Sequence, residues 1–286
     1  MRIAHLSDIH FSNVSWDIKD IGTKRWLGNL NLVFRRGKEF CNELPFKLIP
    51  KLTELQIETC LITGDFTSTG NDVEYAMARR WVDAIESAHI KVIAIPGNHD
   101  CYIAENMQKK TYYQHFPSRY WTCNQELNEH RCTAMPLTDG WWLVALDTTL
   151  ATPLISSEGL FSEALEEQLD HCIREIPSNQ KIILMNHFPF FQNERKRRRM
   201  QRGPALQGFL EARPQIQLYL HGHTHRHILA DLRPSGLPII LDSGSTALSS
   251  VSSWNLIDLK PTTCDIEIFR LFDNDWHVTD TKRFHW

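Results

Sequence analysis

A chain of 286 residues has room for one large α/β domain or two small ones. Its 42% apolar and 23% charged residues suit a globular protein with a sizeable core. A net charge of −3 excludes any molecule-wide electrostatic pull toward nucleic acid or membrane, so such a pull would have to be local. The seven cysteines (Cys41, Cys60, Cys101, Cys123, Cys132, Cys172 and Cys264) are odd in number, scattered and without a C-x-x-C pair, which suits free thiols better than a disulfide framework or a zinc cage.

The N-terminal stretch MRIAHLSDIHF carries acid and histidine where a signal peptide needs a long apolar region. No later run approaches the roughly 18 apolar residues of a membrane-crossing helix. The expected location is cytoplasmic. From there, short apolar runs recur, each followed by polar or glycine-bearing residues. Arg2–Leu6 leads into SDIH, residues 59–63 into GD, and 91–95 into PGNHD. Trp141–Leu146 leads into DTT, Lys181–Met185 into NHFPF, and 217–220 into HGHTH. Helical patterns lie between several of them, at 38–56, 72–88 and 163–176; the last opens on Ser162 with Glu163, Glu166 and Glu167 in its first turns. Strands alternating with helices predict an α/β fold. From 238 to 278 the runs PIILDSG, WNLIDL, TCDIEIFRLF and WHVTD are strand-like, which predicts a second sheet packed on the first. With no repeat and no linker, residues 1–286 read as a single domain.

The residues with chemical potential fall just past the predicted strand ends, where open α/β sheets form their ligand sites. They are Asp8 and His10, Asp65, Asn98 with His99 and Asp100, His187, and His223 with His225. Asp, Asn and His supply oxygen and nitrogen donors suited to Mn, Fe, Zn or Co, and no cysteine joins them. Asp8, His10, Asp65, Asn98, His187, His223 and His225 are too many donors for one ion with an open position, but enough for two divalent ions that share a carboxylate. Two such ions and two aspartates leave roughly +2, which matches a hydroxide and a phosphate diester.

The blocks D-x-H, G-D, G-N-H-D, a lone histidine and G-H-x-H, in that order from Asp8 to His225, resemble the calcineurin-like metallophosphoesterase family. The resemblance implies a four-layer α/β/β/α sandwich with the metals at the strand ends. It implies that Asp8, His10 and His225 hold one ion, that Asn98, His187 and His223 hold the other, and that Asp65 bridges them. His99 would contact phosphate and protonate the leaving oxygen, with Asp100 orienting it, while a metal-bridging hydroxide attacks phosphorus. An imidazole braced by a carboxylate has the pKa a general acid needs. Gly64, Gly97 and Gly222 fit a backbone that turns sharply beside the ions. In LHGHTHRH, His221 and His227 match no ligand position and read as neighbours. The remaining histidines read as structural, and Asp147 as near the site without touching metal.

Two further stretches have open readings. In residues 23–37, TKRWLGNLNLVFRRG, the side chains Trp26, Leu27, Leu30, Val33 and Phe34 share one helical face, flanked by Lys24, Arg25, Arg35 and Arg36. This insertion, near 20–37, is a lid, a contact with an anionic membrane surface that would make the protein peripheral, or an amphipathic helix packed on the core. The second stretch has six basic residues within 195–202; it either reaches a phosphate-rich substrate or is a solvated face. Size and block spacing most resemble the bacterial class III cyclic nucleotide phosphodiesterases, so hydrolysis of a phosphodiester is expected. The alternatives are a pyrophosphatase acting on a nucleotide-linked lipid such as UDP-2,3-diacylglucosamine, or a non-catalytic scaffold. A nucleic-acid substrate fits less well, because no separate binding segment is evident.

Overall fold

The computed structural model describes residues 1–14, 18, 21–34, 39–117, 126–153, 156–192 and 194–286. In chain order the elements are β1 (Arg2–Leu6), α1 (Lys24–Phe34), α2 (Leu44–Glu54), β2 (Thr59–Ile62), α3 (Asp72–Ser87) and β3 (Lys91–Ala94). Three short helices follow, α4 (Ala104–Gln108), α5 (Thr111–His115) and α6 (Leu127–His130). Next come β4 (Cys132–Thr138), β5 (Trp141–Leu146), β6 (Gly159–Leu160), α7 (Glu163–Arg174), β7 (Lys181–Met185), β8 (Met200–Gln201) and α8 (Gly203–Glu211). The chain ends with β9 (Ile216–His221), β10 (His227–Asp231), β11 (Ile239–Ser243), β12 (Ser253–Leu259), β13 (Thr263–Phe272) and β14 (Asp275–His285).

Twelve of these strands form two six-stranded mixed sheets, in the orders β14-β13-β12-β1-β2-β3 and β10-β11-β9-β7-β5-β4, and β6 pairs with β8 apart from them. The parallel strands are buried on both faces, which is why they read as nearly unbroken apolar runs. Ile3, Leu61 and Ile93 meet Leu143, Ile183 and Leu218 in the core between the sheets. On the outer face of the first sheet, Ala4, Cys60 and Ile62 pack against Leu48 and Leu52 of α2 and Tyr75 and Trp81 of α3. On the outer face of the second, Leu146, Ile182 and Leu184 pack against Leu165 and Leu169 of α7 and Leu206 and Phe209 of α8. This is the expected four-layer sandwich.

Register brings the strand ends level. Leu6 pairs with Ile62, Ile62 with Ala94, and in the second sheet Met185 with Leu220. Helix starts follow local chemistry. Asn71 and Glu74 form a reciprocal capping box for α3, and Ser162 accepts from the Leu165 N–H at 3.2 Å to open α7. The helix expected at 38–56 begins only at Leu44, where Pro45 occupies its first turn, because Phe40 bridges to Leu248 instead. Cys41, Cys60, Cys101, Cys132, Cys172 and Cys264 are free thiols, and Cys123 lies outside the described residues. No helix among the described residues is long and apolar enough to cross a membrane.

Of the open readings of the insertion, a helix packed on the core by its apolar face is not what forms. Residues 24–34 are helical, but the side of α1 turned inward is Lys24, Gly28, Asn29 and Leu32, while Leu27 (39%) and Val33 (48%) are exposed. The reason is the wall it meets, which offers hydrogen-bond acceptors. Lys24 Nζ donates to Thr152 Oγ1 (2.7 Å) and Ser156 O (2.8 Å), and Arg25 donates to Gly70 O (2.9 Å) and Asn106 Oδ1 (3.3 Å). The Phe34 side chain, Arg35 and Arg36 lie outside the described residues. The basic stretch is also partly committed. Arg198 donates to His223 O (3.0 Å), Arg199 to Glu194 O, and Arg202 to Glu166 Oε2 (2.8 Å), while Arg195, Lys196 and Arg197 are exposed.

Candidate metal centre

Asp8 and His10 follow β1, Asp65 follows β2, Asn98 and His99 follow β3, His187 follows β7, and His223 and His225 follow β9. Beyond β1 the chain keeps its neighbour: the Asp8 N–H donates to Gly64 O at 3.0 Å, and the His10 N–H to Asp65 O at 2.9 Å. Five of these residues have left-handed backbone, with φ of +53° at Asp8, +49° at His10, +57° at Asp65, +70° at His223 and +57° at His225. Asp and His are among the side chains that tolerate this region. The four histidines of LHGHTHRH therefore do not line one strand face. Strand β9 stops at His221 and β10 starts at His227, with a left-handed turn between. His221 Nδ1 donates to Gly222 O (3.0 Å), and His227 Nε2 donates to Asn255 Oδ1 (2.7 Å).

Asp8, His10, Asp65 and His225 bring donor atoms within 4.8 Å of one another. His10 Nδ1 donates to Thr67 O at 3.2 Å, which leaves Nε2 of the neutral ring bare. That lone pair faces His225 Nε2 at 3.0 Å, Asp8 Oδ1 at 3.5 Å and Asp65 Oδ2 at 3.6 Å. Asp8 Oδ1 lies 3.1 Å from His225 Nε2 but is buried with no aligned hydrogen-bond donor. A bare imidazole nitrogen of His10 and an orphaned carboxylate oxygen of Asp8, both buried and turned toward one point, suit a cation between them. The donor set fits a divalent ion.

A second group adjoins the first. His187 Nδ1 donates to Thr63 O at 2.7 Å, turning Nε2 toward Asn98 Oδ1 (3.2 Å) and Asp65 Oδ2 (3.4 Å). His223 Nε2 donates to Arg198 O at 2.9 Å, turning Nδ1 toward Asn98 Oδ1 at 2.8 Å. In each ring a main-chain carbonyl takes the remote N–H, so that in the neutral ring the inner nitrogen presents its lone pair toward Asn98. Asp65 Oδ2 faces both groups.

The charges agree with this reading. Burial raises the carboxyl of Asp8, but His225 and His10 outweigh it and hold it well below the usual range. His187 and His99 likewise hold Asp65 well down against its burial. Burial opposes charge on His187, yet Asp65 and Asp8 prevail and raise its pKa to about 9. Without metal, the His187 proton supplies part of the missing positive charge. Since ligation needs the neutral ring, loading with Zn²⁺ at pH 8 is expected to release about one proton, and affinity is expected to rise as pH approaches 9. Calorimetry in two buffers of different protonation enthalpy measures the count; a value of zero would contradict it.

His99 is half-buried beside this cluster, its ring edge-on to His10 with centroids 4.7 Å apart. Its N–H donates to Asp65 Oδ1 at 2.7 Å and its Nδ1 to Ser68 O at 2.6 Å. Asp100, expected to orient His99, meets main chain around it, and Thr67 Oγ1 donates to both the Asp100 carboxylate (3.1 Å) and His99 O (3.0 Å). The Asp100 carboxylate accepts the N–H groups of Gly97 (2.9 Å), Thr67 (3.0 Å) and Phe66 (3.2 Å). Two facing loops compete for that carboxylate with main-chain donors, so it fixes backbone, and the Ser68 carbonyl meets the ring. The Asp147 carboxylate is taken by Arg131 (3.0 Å), Thr149 N–H (2.9 Å) and Tyr113 (2.7 Å), away from the cluster.

The family model for calcineurin-like phosphoesterases matches residues 1–227, which contain every residue of both groups. The chain belongs to the calcineurin-like phosphoesterase family. This calcineurin-like phosphoesterase is 24% identical, over 183 residues, to a 3′,5′-cyclic-nucleotide phosphodiesterase of Nostoc sp.. That match covers 63% of this chain and 60% of the relative, so the chain spans less than two thirds of the relative's length. Among solved structures, a dimetal phosphatase from Danio rerio is similar with TM-score 0.59 at 9% identity, covering 94% of this chain and 95% of the other. A purple acid phosphatase from yellow lupin is similar with TM-score 0.60 at 10% identity, covering 99% of this chain and 53% of the other. At these identities the two structures speak for the fold.

Several supporting residues of this calcineurin-like phosphoesterase escape sequence reasoning. Thr63, Thr67, Ser68 and Arg198 act through main-chain carbonyls, which no residue type announces. Phe40 packs on His10 with centroids 4.7 Å apart, and Tyr102, three residues past His99, stacks on it at 5.1 Å; an aromatic so near G-N-H-D is the signal that could have found the second. The glycines act differently from one another. Gly64 has φ +96°, whereas a Cβ on Gly97 would overlap Asp65 Oδ1, and one on Gly222 would overlap Ser7 Oγ and Asp8 Oδ2. Gly222→Ala is expected to displace Asp8, to cost about 1–3 kcal/mol of stability, and to abolish most of the rise in melting temperature that metal gives the parent protein. Thermal melts with and without Mn²⁺ check this; a parent-like metal-induced shift would refute it.

Proposed function

We propose that this chain is a single-domain, dinuclear metal-dependent phosphodiesterase. Asp8, His10 and His225 would hold one divalent ion, Asn98, His187 and His223 a second, with Asp65 shared. The observation that carries this reading is the position of Asp65 Oδ2, 3.6 Å from His10 Nε2 and 3.4 Å from His187 Nε2. When bound, the ions supply Lewis-acid charge beside the phosphoryl group and activate water for in-line displacement. The protein's own residues do the rest. Carbonyls of Thr67, Thr63 and Arg198 keep the ligand imidazoles in the coordinating tautomer. With Nδ1–H of His99 engaged by Ser68 O, Nε2 is the free ring nitrogen, and in the imidazolium form it carries the proton delivered to the leaving alkoxide.

A small phosphodiester is the favoured substrate, with cyclic nucleotides first because of the Nostoc relative's name. A nucleotide-linked lipid is the second reading, favoured by the exposed apolar side chains Ile21 (63%), Leu27 and Val33 in the insertion. The test is a substrate panel with the full chain and Mn²⁺: bis-p-nitrophenyl phosphate, 3′,5′-cyclic AMP, p-nitrophenyl phosphate and UDP-2,3-diacylglucosamine. Diesters are expected to turn over faster than the monoester. Fastest turnover of the lipid would move the assignment to the second reading, and no turnover of any of the four by metal-loaded protein would end both.

A further inference from the structure

We infer that helix α1 is a positioning device for His99, acting through Tyr102 with Lys24 as the outer member of a three-layer stack. The Tyr102 ring lies nearly parallel to the His99 imidazole, 20° apart with centroids at 5.1 Å. The Lys24 ammonium sits over the Tyr102 ring, 4.7 Å from its centroid. A cation on an aromatic face is held by the ring quadrupole, and the ring in turn is held flat against its other neighbour.

The contacts around the stack point the same way. Gly28, one helical turn after Lys24, lies against the Tyr102 hydroxyl so closely that a Cβ would come to 2.8 Å from it. Arg25 donates to Thr69 O and Gly70 O, directly after Ser68, whose carbonyl accepts from His99 Nδ1. One face of α1 thereby grips both supports of His99, the Ser68 segment on one side and Tyr102 on the other. Lys24 is itself fixed by Thr152 Oγ1 and Ser156 O, so the outer layer cannot swing away without losing two hydrogen bonds. This accounts for the polar residues on the inward side of the insertion, which neither a membrane contact nor a packed amphipathic helix explains. Half-buried His99 has solvent on one side, and a ring held on only one edge would sample poses from which the leaving oxygen is out of reach.

The inference rests on the phosphodiesterase reading for its catalytic consequence, but the stack itself is measurable without turnover. In metal-free and Zn²⁺-loaded protein with ¹³C-labelled histidine, the His99 ring signal is identified by its absence from His99→Asn. Tyr102→Leu is expected to move that signal downfield, because the ring current of Tyr102 is lost, and Tyr102→Phe is expected to leave it in place. An unmoved signal in Tyr102→Leu overturns the stack, whether or not the parent protein hydrolyses any diester. With bis-p-nitrophenyl phosphate and Mn²⁺, Tyr102→Leu is expected to lower kcat about tenfold or more at nearly unchanged KM and metal content, with recovery in Tyr102→Phe and a smaller loss in Lys24→Met. Parent-like kcat in Tyr102→Leu, or equal losses in the Leu and Phe variants, would overturn the positioning role. An inactive parent protein would count against the phosphodiesterase reading and leave the resonance test to decide the stack.

Discussion

Asp65→Asn is expected to lower kcat/KM on bis-p-nitrophenyl phosphate by at least about 10³-fold, because Lewis-acid stabilisation of this kind contributes several kcal/mol to the barrier at roughly 1.4 kcal/mol per decade. The amide keeps the shape and the oxygen that accepts from the His99 N–H, so the fold should survive. What it loses is the charge shared between two groups of imidazoles. Metal analysis should show fewer than the parent's ions, and the loss should exceed that from replacing any one of His10, His187, His223 and His225, since each of those is proposed to serve a single group. The spread in Mn²⁺ dependence between Asp65→Asn and His225→Ala is the direct readout. Near-parent turnover in Asp65→Asn would remove the shared-carboxylate arrangement.

The second large effect is expected at His99. His99→Asn should cost about 10²–10⁴-fold in kcat, the range for loss of a positioned general acid. Metal content should not change, because the contact His99 makes with Asp65 is through its backbone N–H and persists in the variant. The pair of variants therefore separates two kinds of failure: Asp65→Asn loses ions and rate together, His99→Asn loses rate alone. A substrate with a very good leaving group needs little protonation, so the deficit of His99→Asn should shrink as the leaving phenol becomes more acidic. An equal deficit across a series of substituted phenyl esters would assign His99 a role other than proton delivery.

Strand placement was legible in the sequence because strands buried on both faces are apolar throughout and stop abruptly at charged residues. Arg2–Leu6, Trp141–Leu146 and Lys181–Met185 are strands with those bounds. The cluster was legible for the same reason, as its residues stand at those stops. Three things were not. The inward face of α1 stayed open because apolar spacing identifies a buried stripe only where the wall it meets is apolar, and here the wall presents Thr152, Ser156 and the carbonyls of residues 69–70. Asp100 was read with its sequence neighbour because a carboxylate beside an imidazole suggests a pair, while two of its three main-chain donors, Phe66 and Thr67, come from residues more than 30 positions away. The carbonyls that fix the imidazole tautomers belong to residues whose side chains are irrelevant to the task, so no spacing rule could select them.

The left-handed residues at the strand ends change what the short motifs mean. If donor chemistry were the whole requirement, glutamate would serve at position 8 or 65 nearly as well as aspartate. A position with φ near +55° rewards a side chain that is both a donor and short enough to settle beside its own backbone in that conformation, and aspartate and histidine meet both conditions. The motif letters thus encode torsion angles as much as ligands. A substitution table that treats Asp and Glu as near-equivalents will misjudge these positions, and a graft that transfers the side chains to another sheet without its left-handed turns will carry the donors but not their convergence.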